Sequence, residues 1–416
     1  MANKNTTIPK GWKVTTLGKA LYPISDTFKF NGTERVHFLN TGDILEGKLL
    51  HKNLSSTKTL PGQAKKRFKL NDILYSEIRP ANKRYMLVNF ESSNSVASTK
   101  LMVLRTKENV DVKYIYKFIT FRDTINQFQV IAESRSGTFP QITFDSISNI
   151  EFVLPPLPEQ RAIAAVLSSL DDKIELLREQ NKTLEATAQA IFKEWFVNFN
   201  FPGATGKMID SELGEIPEGW RVGKIKDLID ILSGFAFSSS DFSQDGNYKL
   251  VTIKNVQDRH FDPETKDRLS ALPVRMPEYC KLNSGDILLS LTGNVGRICL
   301  VNGDNFLLNQ RVAKLKEKNP SDYAFTYLLF LQDSIFSLLQ STASGTAQQN
   351  LSPIQTKEIE IIIADRKTLD QFGMVANKLI QKINDNNSQV ETLSKLRDTL
   401  LPKLMTGNVR VKGFED

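Results

Sequence analysis

The chain has 416 residues, 40% of them hydrophobic and 24% charged, and carries a net charge of +7. That is too long for one hydrophobic core and too apolar for a disordered chain, and no run approaches the roughly 18 apolar residues that cross a bilayer. The polar start "MANKNTTIPKGW" has no secretory apolar core, and the two cysteines, Cys280 and Cys299, suit buried thiols in a reducing compartment, so the expected location is the cytoplasm.

Charge is spread unevenly. Residues 1–156 hold 23 Lys/Arg against 13 Asp/Glu. Residues 157–202 and 203–365 have balances of −2 and −4, and residues 366–416 of +3. A basic first segment points to an anionic partner, with nucleic acid foremost. Within the acidic third segment, residues 249–318 still carry 12 basic and 8 acidic residues, enough for a positive face.

In chain order, "IPKGWKV" (8–14) opens a mixed globule. Short β-branched and aromatic runs, "MLVNF", "KLMVL" and "IEFVL", read as strands between Gly/Asn/Ser/Pro punctuation, and "VDVKYIYKFITF" has helical spacing. After "PPLPEQ" a long helix is expected, with Pro158 at its first turn and Glu159 at its positive end. From Glu159 to Phe196 it would span about 57 Å at 1.5 Å per residue. A connector, Phe199–Trp220, then leads through "IPEGWRV" (216–222) into a second mixed globule containing the helical "YAFTYLLFLQDSIFSLLQ". A second long helix is expected from Thr368, which has capping-box spacing to Gln371. Pro402 should end or kink it near Leu401. The resulting division is 1–156, 157–200, 201–365, 366–407 and a tail, 408–416.

Almost every landmark occurs twice, at an offset of 208 to 213 residues. "KLNDILYSEIRPANKR" matches "KLNSGDILLSLTGNVGR", "SGTFPQ" matches "SGTAQQN", and "KTLEATAQAIFKEWF" matches "ETLSKLRDTLLPKLM". The chain is a duplicated two-part unit of the α/β (α+β) class. The first helix shows a 3-4 seam of Leu167, Leu170, Ile174, Leu177, Asn181, Leu184, Ala188, Ile191 and Trp195. The second shows Ala376, Leu379, Ile383, Asn386, Val390, Leu393, Arg397, Leu400 and Leu404. Four heptads of this kind signal a coiled coil. The single asparagines, Asn181 and Asn386, either tolerate partial exposure or fix register. Were the two helices antiparallel, the globules would be pseudo-twofold related at opposite ends, and DNA readers so held would contact sites a little over one duplex turn apart.

Catalytic patterns fail on inspection. "GDILEGKL" (42–49) has GxxxxGK spacing, but Leu49 stands where a P-loop needs Ser or Thr, and a strand-loop is the better reading. "DPETK" (262–266) is a common surface-turn triplet. His37, His51 and His260 are isolated from metal-ligand partners. "LPPL" at Leu154 is not an adenine-methyltransferase signature and has no cofactor glycine loop. No catalytic residue and no metal site is assigned.

"LPPLPEQRAIAAVLSSLDDKIELL", "DSELGEIPEGWRVGKIKDLI" and "RDTLLPKLMTGNVRV", in that order within a duplicated frame, resemble the specificity subunits of type I restriction–modification systems. The resemblance implies two target recognition domains, each reading half of a bipartite DNA sequence in the major groove. It implies an antiparallel coiled coil that sets their spacing and docks two modification (adenine methyltransferase) subunits, with restriction subunits joining through these. S-adenosylmethionine, ATP and magnesium would then belong to the partner subunits, and this chain would hold no cofactor and catalyse nothing. The helix flanks "DDKIELLREQNK" and "KLIQKINDNNSQ" suit docking or plain solvation. The rival reading is a protein-binding scaffold with two globules.

DNA contacts would come from basic and amide side chains on loops, phosphates positioning and base edges specifying. In the first globule the candidates are Lys65, Lys66, Arg67, Arg79, Asn82, Lys83, Arg84, Arg135 and Gln141. In the second they are Arg259, Thr292, Asn294, Arg297, Gln348, Gln349 and Asn350. Each is either a contact or a solvated surface group. The pairs "IRPANKR"/"LTGNVGR" and "SGTFPQ"/"SGTAQQN" gain weight by recurring at equivalent places. Ser136, Gly137 and Thr138, with Ser344, Gly345 and Thr346, are either phosphate-facing or purely structural turns. Trp12 and Trp220 are expected to anchor core edges.

Overall fold

The computed structural model describes residues 8–32, 35–134, 139–345 and 349–414. The chain divides into two compact units, Met1–Asp172 with Lys395–Asp416, and Lys173–Ser394. The long helices are single elements, Leu157–Phe196 and Arg366–Thr406, so each unit contains a stretch of both.

In the first unit the globule is tied shut at its own ends. Strand Lys13–Thr16 pairs antiparallel with Glu151–Leu154, Lys13 opposite Leu154, and the long helix starts three residues on. Between these ends lie two four-stranded sheets. One is antiparallel, ordered Leu21–Pro23, Leu101–Thr106, Ile73–Ser76, Tyr85–Leu87. The other is mixed, ordered Leu54–Ser56, Arg35–Leu39, Ser95–Ser98, Ala64–Lys66, with a parallel central pair. Helices Val112–Ile119 and Arg122–Glu133 bury Tyr114, Ile115 and Phe128 in the same core as Ile73, Tyr75 and Leu104.

The second unit repeats this plan. Arg221–Lys224 pairs antiparallel with Glu360–Ile363. Ile229–Ser233, Val312–Glu317, Ile287–Ser290 and Ile298–Leu300 form the antiparallel sheet. The mixed sheet keeps its parallel pair, Tyr248–Val251 with Phe306–Leu308, and has five strands. Helix Tyr323–Phe330 is apolar all round, and Ala324 to Phe330 are all buried; its neighbour Asp333–Thr342 is amphipathic. Cys280 and Cys299 are free and buried, and burial pushes both thiols above their ordinary range.

Within each unit the two helices run antiparallel. In the first, Asp171 receives Arg397 Nη1 at 3.0 Å while Glu159 receives Arg410 Nε at 2.9 Å. In the second, Asn181 meets Asn386 while Phe192 meets Phe372 with ring centroids 6.0 Å apart. Of the seam residues, Leu167, Ile174, Leu177, Ile383 and Asn386 are buried; Leu170, Asn181, Leu184, Ile191, Leu379, Val390, Leu393 and Leu400 are half-buried. Much of the burial falls on residues outside that seam, notably Ile163, Phe192, Phe196, Phe372 and Ile380. The two asparagines interlock. Asn386 Nδ2 donates to Asn181 Oδ1 at 2.8 Å and Asn181 Nδ2 donates to Asn387 Oδ1 at 2.7 Å.

Two helix boundaries differ from the sequence expectation. The second helix begins at Arg366, and its cap is Asp365 rather than Thr368: Asp365 Oδ1 accepts Thr368 N–H at 3.0 Å and Oδ2 accepts the Thr368 hydroxyl at 2.6 Å. Nor does the helix end at Leu401. It continues through Pro402 to Thr406, because Leu404 and Met405 are buried in the first unit's core and hold the last turn.

The two tryptophans are anchored by different means. Glu159, with no exposed side-chain surface, accepts Trp12 Nε1 at 2.8 Å as well as Arg410 Nε and Nη2. Its neighbour Gln160 is also consumed, donating to the Pro155 carbonyl and accepting Asp111 N–H, both at 2.8 Å. Trp220 instead stacks on Phe201 at 5.0 Å, with Phe199 and Phe196 against its other sides.

Removing one partner of the Glu159–Arg410 pair strands the other charge, so Glu159→Ala or Arg410→Met is expected to cost about 3 kcal/mol in urea unfolding, and the double variant less than the sum. Asn181→Leu, which leaves Asn386 Nδ2 without its acceptor and Asn387 Oδ1 without its donor, should cost about 1–3 kcal/mol in the same assay, while Asn181→Leu with Asn386→Leu should recover the part due to Asn386. Burial raises the Asp365 carboxyl, but hydrogen bonds from the Thr368 hydroxyl and amide outweigh it and hold the group below its ordinary range. Asp365→Ala is therefore expected to lose about 1 kcal/mol at neutral pH. The gap to the parent chain should close as pH falls through the carboxyl's lowered value, because the cap's stabilisation exists only above it.

Candidate DNA interface

In each unit the structure brings together the two loops that the repeat singles out. In the first, the strand Ile73–Ser76 runs into a short 3-10 turn, Pro80–Asn82. Ile78 bridges Gln141, and Arg79 N–H donates to the Pro140 carbonyl at 3.0 Å. In the second, Ile287–Ser290 runs into "LTGNVGR". Thr292 bridges Asn350, and Gly293 N–H donates to the Gln349 carbonyl at 3.2 Å. The Thr292 hydroxyl also donates to Asn350 Oδ1 at 3.0 Å. One loop pair thus recurs at one place in one topology.

Several candidate cations are committed to the fold. Lys66 Nζ donates to the Leu101 carbonyl at 2.8 Å and lies 3.5 Å from Glu77. Arg84 Nη1 donates to the carbonyls of Gly42 and Ile44, at 3.2 and 3.0 Å. Lys83 pairs with Glu46 at 2.9 Å. Arg297 Nη1 donates to Gln257 Oε1 at 2.6 Å. Arg259 Nη1 lies 3.3 Å from Glu185 on the first long helix; burial raises the Glu185 carboxyl, and Arg259 opposes that rise. Lys65, Arg67, Arg79, Asn82, Gln141, Asn294, Gln349 and Asn350 are exposed, whereas Thr292 is buried. Arg135, Ser136, Gly137, Thr138, Thr346 and Gln348 lie outside the described residues.

The catalytic look-alikes resolve into local structure. "GDILEGKL" is a hairpin, Ile44–Leu45 with Lys48–Leu49, turning on Glu46 and Gly47 at φ 47° and 85°, the geometry of a tight hairpin turn. Its tip docks on the paired loops, Glu46 N–H to the Lys83 carbonyl and Gly47 N–H to the Tyr85 carbonyl, both at 2.9 Å. "DPETK" is an Asx turn in which Asp262 Oδ1 accepts Glu264 N–H at 3.0 Å. Among the described residues no group of His, Cys, Asp and Glu is placed to hold a metal, and no helix is long and apolar enough to cross a membrane.

One exposed aromatic beside the loops escaped the sequence reading. Phe139 lies next to Pro140 with the Arg79 guanidinium over its ring. Nothing in the pattern marks it, since an isolated Phe in a loop has no periodicity to read.

Comparison with known proteins agrees with this architecture. Type I restriction modification DNA specificity domains match residues 9–186 and 217–388, one in each half. The HindI type I restriction enzyme specificity subunit of Haemophilus influenzae is 32% identical, the match covering 96% of this chain and 99% of that protein. The MjaIX specificity subunit of Methanocaldococcus jannaschii is 28% identical over 74% of this chain and 71% of its own. The crystal structure of a type I restriction–modification S subunit from M. genitalium shares the fold, with a TM-score of 0.58, 17% identity, and coverage of 96% of this chain and 97% of that one. The chain belongs to the type I restriction–modification DNA specificity family.

Proposed function

We propose that this chain is the DNA sequence-specificity subunit of a type I restriction–modification complex. Each unit reads one half of a bipartite target through its paired loops. The long helices fix the spacing between the two readings and dock two adenine-methylating modification subunits, through which restriction subunits join. The chain itself performs no chemistry; S-adenosylmethionine, ATP and magnesium act on the partner subunits, and the complex works in the cytoplasm.

The observation that carries this reading is the repetition of one loop pair, on one strand topology, in two units that each match the same DNA-specificity family. A duplicated reader suits a target with two separately specified parts. The absence of a P-loop hydroxyl and of a methyltransferase signature in the sequence agrees with a reader that recruits its chemistry.

Binding of the full chain, co-purified with its modification subunits, to a duplex bearing its target should weaken log-linearly with salt. The slope is expected near −0.9 per phosphate contacted, or steeper than −5 for six or more contacts. Mapping methylated adenines in the host should yield a two-part motif. Asn294→Ala with Gln349→Ala should relax one part of that motif and leave the other intact. Salt-insensitive binding, or a motif indifferent to substitution in either unit, would favour a protein-binding scaffold.

A further inference from the structure

The two loop pairs share a backbone but differ in chemistry. Ser76 N–H donates to the Arg84 carbonyl at 2.8 Å and Ser290 N–H to the Arg297 carbonyl at 2.9 Å. With the matching bonds from Arg79 and Gly293 to the opposite loop, this register sets Arg79 against Gly293 and Lys83 against Gly296. All four residues are left-handed, at φ 44°, 74°, 54° and 83° respectively. Glycine adopts that conformation freely, whereas a side chain there costs energy. The second unit takes the unstrained solution and the first retains two cations. Strain kept at a loop tip points to a use for the side chain.

For Lys83 that use is the ion pair with Glu46. Arg79 has no such tie, since among the described residues no hydrogen bond or ion pair engages its guanidinium. It has instead the ring of Phe139, whose centroid lies 5.8 Å from Cζ. Phe139 is 56% exposed although it is a large apolar residue. A guanidinium over an aromatic face uses none of its N–H donors on the protein and leaves them for another partner. The neighbouring Lys66 and Arg84 are spent on backbone carbonyls, so among the described residues Arg79 is the guanidinium of this loop pair left for a partner.

A planar fork held in one orientation suits a partner with two acceptors side by side, which guanine presents as O6 and N7 in the major groove. A phosphate contact needs no such orientation, and a flexible lysine would serve. In the second unit Arg297 is committed to Gln257, and the loops present amides instead. We propose that Arg79 reads a guanine in the half-site taken by the first unit, and that Phe139 is the positioning residue against which its guanidinium rests. This rests on the DNA-reading function proposed above.

The test uses the chain co-purified with its modification subunits and a duplex carrying the mapped motif. The first unit's half is the one that Asn294→Ala with Gln349→Ala leaves intact. Each guanine there is replaced in turn by 7-deazaguanine, which lacks the N7 acceptor, and binding is followed by fluorescence anisotropy. One replacement is expected to weaken the parent complex about tenfold. Arg79→Ala should bind both duplexes equally. Phe139→Leu should lose most of the discrimination and Phe139→Tyr keep it, with thermal unfolding unchanged in both. Arg79→Ala that weakens binding uniformly but preserves discrimination would make Arg79 a phosphate contact and overturn the proposal, as would a first half-site without guanine or discrimination insensitive to Phe139. Failure of the parent complex to bind any DNA would instead defeat the DNA-reading function, and this inference with it.

Discussion

Each unit depends on one constraint: the two ends of its globule are paired to each other immediately before a long helix begins. Lys13–Thr16 with Glu151–Leu154, and Arg221–Lys224 with Glu360–Ile363, are four-residue antiparallel ladders in the same register. With its ends tied, a globule of some 150 residues can vary its loops without altering where it meets the helix. The residues around the first ladder serve this junction. Glu159, Gln160 and Trp12 of the motif regions are buried and hydrogen-bonded, and none is available to a ligand. They mark how the fold is joined together.

The duplication preserved the junction's geometry but not its chemistry. The first unit holds its tryptophan with a buried carboxylate shared with Arg410, a geometry in which each charge relies on the other. The second holds its tryptophan in a cluster of phenylalanines and secures the helix start with Asp365 and an Arg366–Asp322 pair. Buried ion pairs contribute little net stability against an apolar substitute of similar shape, yet breaking one is costly. The first junction is therefore the one where a single substitution does most damage. The Asn181–Asn386 contact follows the same logic within the second unit, because a sliding helix would break the bonds that link Asn386, Asn181 and Asn387.

The repeat, the sheet-forming runs and the two helices were legible in the sequence, because periodicity and self-similarity are properties of a chain read end to end. The pairing of "IRPANKR" with "SGTFPQ" and of "LTGNVGR" with "SGTAQQN" was only hinted at by their recurrence. The cap at Asp365 was missed because Thr368 and Gln371 fit the capping pattern equally well, and only the hydrogen bonds to Asp365 decide between them. Helix termination at Pro402 was overruled by the burial of Leu404 and Met405. The fate of each cation was not legible at all. Arg84 and Lys83 stand side by side in the sequence, but one braces backbone carbonyls and the other a glutamate.

This division between braced and free cations decides which loop side chains can change without refolding. A cation already bonded to a carbonyl is part of the scaffold, and replacing it leaves a buried acceptor unmet, which costs stability. A cation or amide bonded to nothing in the protein can be exchanged at little cost to the fold. The paired loops contain both kinds within a few residues: Arg84 and Arg297 brace their surroundings, while among the described residues no hydrogen bond or ion pair ties the side chains of Arg79 and Asn294. Under the proposed function, sequence change that alters recognition is thus confined by energetics to the second kind. The backbone bonds between the loops stay in place while the exposed side chains beside them are substituted.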